Sequence, residues 1–196
     1  MPIADQDEVR RLMAEFEPRL REVADAAWQE WMEFPDRGRI EYVGRLRAAF
    51  VFDAFVRRAR AEFADDGEVR VIPKSQTAQF LFKDQVLVRF KKGNARGVGS
   101  NIETQAVLDF IDPQRSIPGL LPDLLRIEVC YQPDDLGTRL DDVAVVARNR
   151  TRRVWAYSLR PDEGRVIPLP QDPPDQTPPV VTPRRVAKKK GSGTTE

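Results

Sequence analysis

The sequence predicts an α+β domain in which two N-terminal helices pack on a mostly antiparallel sheet, in the order ααβββαβββ. Two observations carry this. Apolar residues recur with a period of about 3.6 up to residue 64 and alternate one by one after it. The connections beyond residue 132 are short and rich in Pro, Asp, Asn and Gly, as hairpin turns are. At 196 residues the chain has room for one domain, residues 1–160, and a tail, residues 161–196.

Over residues 5–34, Leu12, Phe16, Leu20, Val23, Ala27 and Trp31 form one stripe of an amphipathic helix. Pro18 removes a backbone donor and clashes with the preceding turn, so a kink or break is expected between residues 15 and 19. Pro35 and Gly38 end the element. A second helix is expected over residues 39–64, with Ala49, Phe52, Val56, Ala59 and Phe63 on one arc, widened by Ala48, Val51 and Phe55. Arg47, Arg57 and Arg58 fall opposite, and Asp53 reads as the helical ion-pair partner of Arg57.

Asp65-Asp66-Gly67 is a turn, after which three strands follow around Val69 and Val71, Phe80 and Phe82, and Val86 to Lys91. Phe80, Phe82, Val86, Val88 and Phe90 are expected to face the helices. Arg70, Lys83, Arg89 and Lys91 would then make the other face a one-sided basic surface. That surface runs into Lys91-Lys92-Gly93-Asn94-Ala95-Arg96-Gly97-Val98-Gly99-Ser100, a glycine-rich loop that opens a helix over residues 101–111. Ser100 and Glu103 read as its capping box, and Lys91, Lys92 and Arg96 beside the loop N–H groups suit an anion. The loop lacks the Gly-Lys-Ser/Thr of a P-loop and the third glycine of a dinucleotide fingerprint. Its glycines equally suit a plain turn with no ligand.

Residues 124–132, 140–148 and 153–159 read as three more strands in an antiparallel meander. Glu128 is expected in a cross-strand charge network with Arg148, and Asp134, Asp135, Asp141 and Asp142 in turn hydrogen bonding. Trp28, Trp31 and Trp155 read as core or interface anchors. Residues 161–196 hold eight of the 16 prolines and a basic cluster, Arg184, Arg185 and Lys188 to Lys190, and read as a disordered tail.

Composition excludes several function classes. With 32 basic and 31 acidic residues, any attraction to nucleic acid must be local. Arginine outnumbers lysine 25 to 7, which suits bidentate pairing with carboxylate or phosphate and is equally the product of a GC-rich coding bias. The absence of histidine removes imidazole bases, His-based triads and imidazole metal sites. Cys130 lies in an apolar strand as a packed thiol, and a lone cysteine forms no internal disulfide. No signal peptide or membrane-length apolar run is present, so a cytoplasmic protein is expected.

The order helix, three strands, helix, strand over residues 39–131 resembles that of the restriction-endonuclease-like nucleases. The resemblance is topological, and it implies an acid on the second core strand and Glu-x-Lys on the third, together holding Mg²⁺. Asp84 and Glu41 are the acids on offer, but the third strand reads Arg89-Phe90-Lys91, and arginine cannot ligate Mg²⁺. No catalytic residue, metal site or cofactor is therefore assigned.

The expected function is that of a non-enzymatic bacterial or phage accessory protein, a regulator or antitoxin-like component of a defence or mobile-element operon. It would bind a protein partner or nucleic acid through Arg70, Arg89, Lys91, Lys92, Gly93, Arg96, Gly97, Gly99 and Ser100. The alternatives are an active or degenerate divalent-metal nuclease and a structural subunit of a homo-oligomer or hetero-complex.

Overall fold

The computed structural model describes residues 3–35, 44–74, 77–94, 99, 105–112, 114–115, 117, 119–121 and 123–160. Three helices come first: α1 (Gln6–Met13), α2 (Glu17–Met32) and α3 (Gly44–Glu62). Three strands follow, β1 (Val69–Lys74), β2 (Thr77–Phe82) and β3 (Val86–Lys92), then α4 (Gln105–Ile111) and β4 (Leu125–Pro133), β5 (Leu140–Asn149) and β6 (Arg152–Ser158). The tail at residues 161–196 lies outside the described residues.

The amphipathic stripe of residues 5–34 is broken where Pro18 requires it. Asp5 caps α1 by accepting the Glu8 N–H at 3.0 Å, and Pro18 falls in the first turn of α2, where its missing donor is no loss. Phe16 sits in the break, fully buried, with its ring 4.9 Å from that of Phe82 and 6.3 Å from that of Phe63.

The apolar arc of α3 is rotated from the sequence expectation. It centres on Phe55, flanked by Val51, Ala54, Val56 and Ala59, while Ala49 is exposed and Phe52 half-buried. Phe55 stacks on Phe90 of β3 at 4.3 Å and 16°, and that contact sets the rotation. Arg57 does not pair with Asp53: it and Arg58 both reach Glu30 on α2, Arg58 at 2.9 Å, clamping the two helices together.

The six strands lie in the order β1-β2-β3-β4-β5-β6, and every neighbouring pair is antiparallel except β3 and β4. The crossover between these two contains α4. Strand alternation therefore sorts the side chains into two layers. One face carries Phe80, Phe82, Val86, Val88, Phe90, Ile127, Val129, Tyr131, Val143 and Val145, all packed with α1, α2 and α3 in the main core. The opposite face packs Leu81 and Leu87 against Phe110 and Ile111 of α4.

Lys83 does not join that opposite face. It and Asp84 take positive φ, 49° and 53°, in the β2–β3 turn, which swings the Lys83 ammonium to Glu15 and over the Phe16 ring on the helical side. No helix among the described residues is long and apolar enough to cross a membrane.

Replacement of Phe55 by Ala is expected to lower the unfolding free energy by about 3–5 kcal/mol, since a large ring is lost from a packed site. Urea denaturation measures this, and a loss below about 1 kcal/mol would show that α3 does not depend on the Phe55–Phe90 stack.

Candidate functional site

The sequence-predicted site divides across the sheet. Arg89 and Lys91 lie on the α4 face of β3, and Lys92, the next residue, points to the helical side. Arg70 lies on β1, two strands from β3, and its exposed guanidinium pairs with the exposed Asp84 at 3.2 Å. Arg96, Gly97 and Ser100 lie outside the described residues.

Arg89 is not on a basic surface. Its residue is 7% exposed, because the parallel register of β3 and β4 sets it directly opposite Glu128, itself 1% exposed. Arg89 donates from Nε to Glu128 Oε1 at 2.9 Å and makes a second contact through Nη2. Arg148 of β5 reaches the same carboxylate from the other side, Nη1 lying 3.4 Å from Oε2. The result is a buried Arg–Glu–Arg cluster. Burial lowers the Arg89 pKa and the nearby Glu128 carboxylate opposes the shift; a guanidinium stays charged in either case.

Other arginines on this face fasten α4. The Arg89 guanidinium lies 4.2 Å over the Phe110 ring. Arg126 donates to the carbonyls of Asp109 at 2.8 Å, Asp112 at 3.0 Å and Arg115 at 2.6 Å, filling acceptors that the helix end leaves open. Asp112 accepts the Gln114 N–H at 3.0 Å and pairs with Arg150 at 3.1 Å; these two contacts, with Arg115 adding, hold its carboxyl below the usual range.

The described glycines of the loop serve close approach and not unusual backbone angles. Gly93 and Gly99 face each other in an antiparallel bridge, and neither has positive φ. A Cβ on Gly99 would stand 2.8 Å from Glu128 Oε2 and from Lys91 Cβ. The Gly99 carbonyl accepts from Arg148 Nη1 at 3.2 Å, so this residue closes over the charge cluster. Burial pushes the neighbouring Cys130 thiol up, with Glu128 adding, and leaves it an inert packed group.

Two cations at the end of β3 have no such partners. Lys91 and Lys92 are half-buried, and among the described residues neither ammonium makes an ion pair or hydrogen bond. Burial, then repulsion from Arg89, lowers the Lys91 pKa; burial, then Arg47, lowers that of Lys92. Arg47, in the first turn of α3, packs so tightly on Gly137 that a Cβ there would lie 1.5 Å from its Nη1. That contact joins α3 to the β4–β5 turn, where Leu136 is 82% exposed, and Leu46 beside Arg47 is 40% exposed.

Of the two acids that the nuclease resemblance offers, only Asp84 is among the described residues. Asp84 is in the exposed hairpin turn, Glu41 lies outside the described residues, and Arg89 is committed to Glu128. Among the described residues no group of three or more Cys, Asp or Glu could hold a metal ion. The turn carboxylate Asp134 accepts from the Thr138 N–H and hydroxyl, both at 2.6 Å, as turn chemistry leads one to expect. Comparison with protein-family models, with curated proteins and with solved structures finds no match.

Sequence reasoning joined Glu128 to Arg148 but did not include Arg89, since only strand pairing reveals who stands opposite whom. Arg47 and Leu136 were missed because their neighbourhood is tertiary. The sole sequence hint was an apolar residue beside Gly137 in an otherwise polar turn.

Glu128→Gln is expected to cost about 3–5 kcal/mol in urea denaturation, because it leaves two buried arginines uncompensated. Arg139→Gln, which breaks an exposed 2.9 Å pair with Asp141, should cost no more than about 1 kcal/mol. Equal losses would contradict a structural role for the buried cluster. The stabilisation from Asp112 is fully present above the unfolded carboxylate pKa of about 3.9 and is lost as pH falls through its lower folded value. Asp112→Asn should therefore lower stability across the neutral and alkaline range and flatten the acid side of the profile, the two proteins converging as pH falls through the folded Asp112 pKa.

Proposed function

We propose that this chain is a non-enzymatic accessory protein that binds a protein partner through the rim where β3 and β4 end. The observation carrying this reading is the mixed character of that rim: exposed Leu46 and Leu136 flank Arg47 and the half-buried Lys92, which has no acidic neighbour among the described residues. Apolar side chains beside uncompensated positive charge suit a partner that offers an apolar contact inside an acidic surface. A regulatory or antitoxin-like role, in which such a partner is held or inhibited, fits a chain whose interior charges are spent on packing. The basic strand face expected from sequence contributes little to this surface, because Arg89 is interior and Arg70 is engaged with Asp84.

The test is retention of a partner from the native host by the tagged full chain, followed by affinity measurement with that purified protein. Leu136→Glu and Lys92→Glu should each weaken binding at least tenfold, which corresponds to about 1.4 kcal/mol. Arg70→Glu, on a distant strand, should leave binding unchanged. Equal binding by all three variants refutes the rim. Tight binding to a short duplex DNA instead, with affinity falling steeply as salt rises, would assign the basic residues to nucleic acid.

A further inference from the structure

The α4 side of the same strands carries a separate imbalance. Arg89, Arg148 and Lys91 place three positive charges around Glu128, the one carboxylate that these groups share among the described residues. Arg89 and Arg148 take up its oxygens, and Lys91 feels it only through space. The Arg148 side chain is 8% exposed, and its Nε is buried with no acceptor. The half-buried Lys91 ammonium likewise has none among the described residues.

A buried donor without an acceptor is costly, and more so when it is charged. Arg148 Nε is such a donor, and beside the half-buried Lys91 ammonium in a net positive cluster it is suited to an anionic acceptor. The close approach of Gly99, which leaves no room for a Cβ, brings its backbone down beside Lys91 and Glu128 and narrows what can enter. Both Glu128 oxygens are taken by arginines and neither is left for a cation, so the cluster repels metal ions and attracts acceptors. Its surplus matches the charge of one dianion.

We propose that Lys91 and Arg148 form a subsite for a small tetrahedral oxyanion, inorganic phosphate or the phosphate of a small monoester. The anion supplies acceptors to the Lys91 ammonium and to Arg148 Nε, and it neutralises the cluster that Arg89 and Glu128 hold in register. The subsite lies on the sheet face opposite Lys92 and is independent of the partner-binding rim.

Thermal unfolding of the full chain and isothermal titration test this, with phosphate, sulfate and chloride compared at matched ionic strength and at a pH where phosphate is dianionic. Saturable phosphate binding, with a Tm that climbs as phosphate is raised and does not climb with chloride, is the expected result. Lys91→Met keeps the aliphatic stem and should weaken phosphate at least tenfold; Arg148→Lys, which keeps the charge and removes Nε, should weaken it similarly. Leu136→Glu should bind phosphate as the natural chain does, which separates this site from the rim. A nucleoside monophosphate binding more than tenfold tighter than inorganic phosphate would identify a phosphorylated small molecule as the occupant; equal or weaker binding would identify the free ion. Equal stabilisation by phosphate and chloride, or undiminished phosphate affinity in Lys91→Met, overturns the proposal.

Discussion

One carboxylate, Glu128, holds the two halves of the sheet in register. Strands β1 to β3 and β4 to β6 are each antiparallel, and the halves meet only at the parallel seam between β3 and β4. Arg89 and Glu128 face each other across that seam, and Arg148 closes on Glu128 from β5. A buried ion pair adds little net stability once desolvation is counted, but it is intolerant of misplacement. A slip of one residue would send Glu128 into the aromatic core under α3, and a slip of two would set it beside Leu87 or Lys91.

The same chemistry explains why arginine does so much of the work on this face. Lysine offers a point charge, whereas a guanidinium lies flat on a ring and reaches several acceptors at once. Arg89 does the first over Phe110, and Arg126 does the second at the C-terminal end of α4. A helix of seven residues has little stability of its own, so these contacts and the apolar packing of Phe110 and Ile111 keep it on the sheet. The charge that looked like a binding surface is thereby turned into a layer interface.

What remains for recognition is the end of β3, where the strand leaves the packed layers. Adjacent residues on a strand point to opposite faces, so Lys91 and Lys92 deliver one cation to each side. On the helical side the cation meets exposed leucines, which suits a macromolecular partner. On the α4 side it meets a buried, already positive cluster, which suits a small anion. The two proposed sites, of different character, thus share a single dipeptide.

The elements, their order and the faces of the strands were legible in the sequence, because periodicity and proline are local signals. Pro18 located the helix break, and alternation assigned Phe80, Phe82, Val86, Val88 and Phe90 to the helical side. Even the Glu128–Arg148 link could be read, since hairpin neighbours are close in sequence. The parallel pairing of β3 with β4, the rotation of α3 about Phe55, and the choice of Glu30 over Asp53 by Arg57 could not. Each is a contact between segments far apart in the chain, chosen by shape and charge only after the layers meet. For the same reason the glycines marked a turn in the sequence, while only the tertiary structure shows Gly99 pressed against Glu128, where no side chain fits.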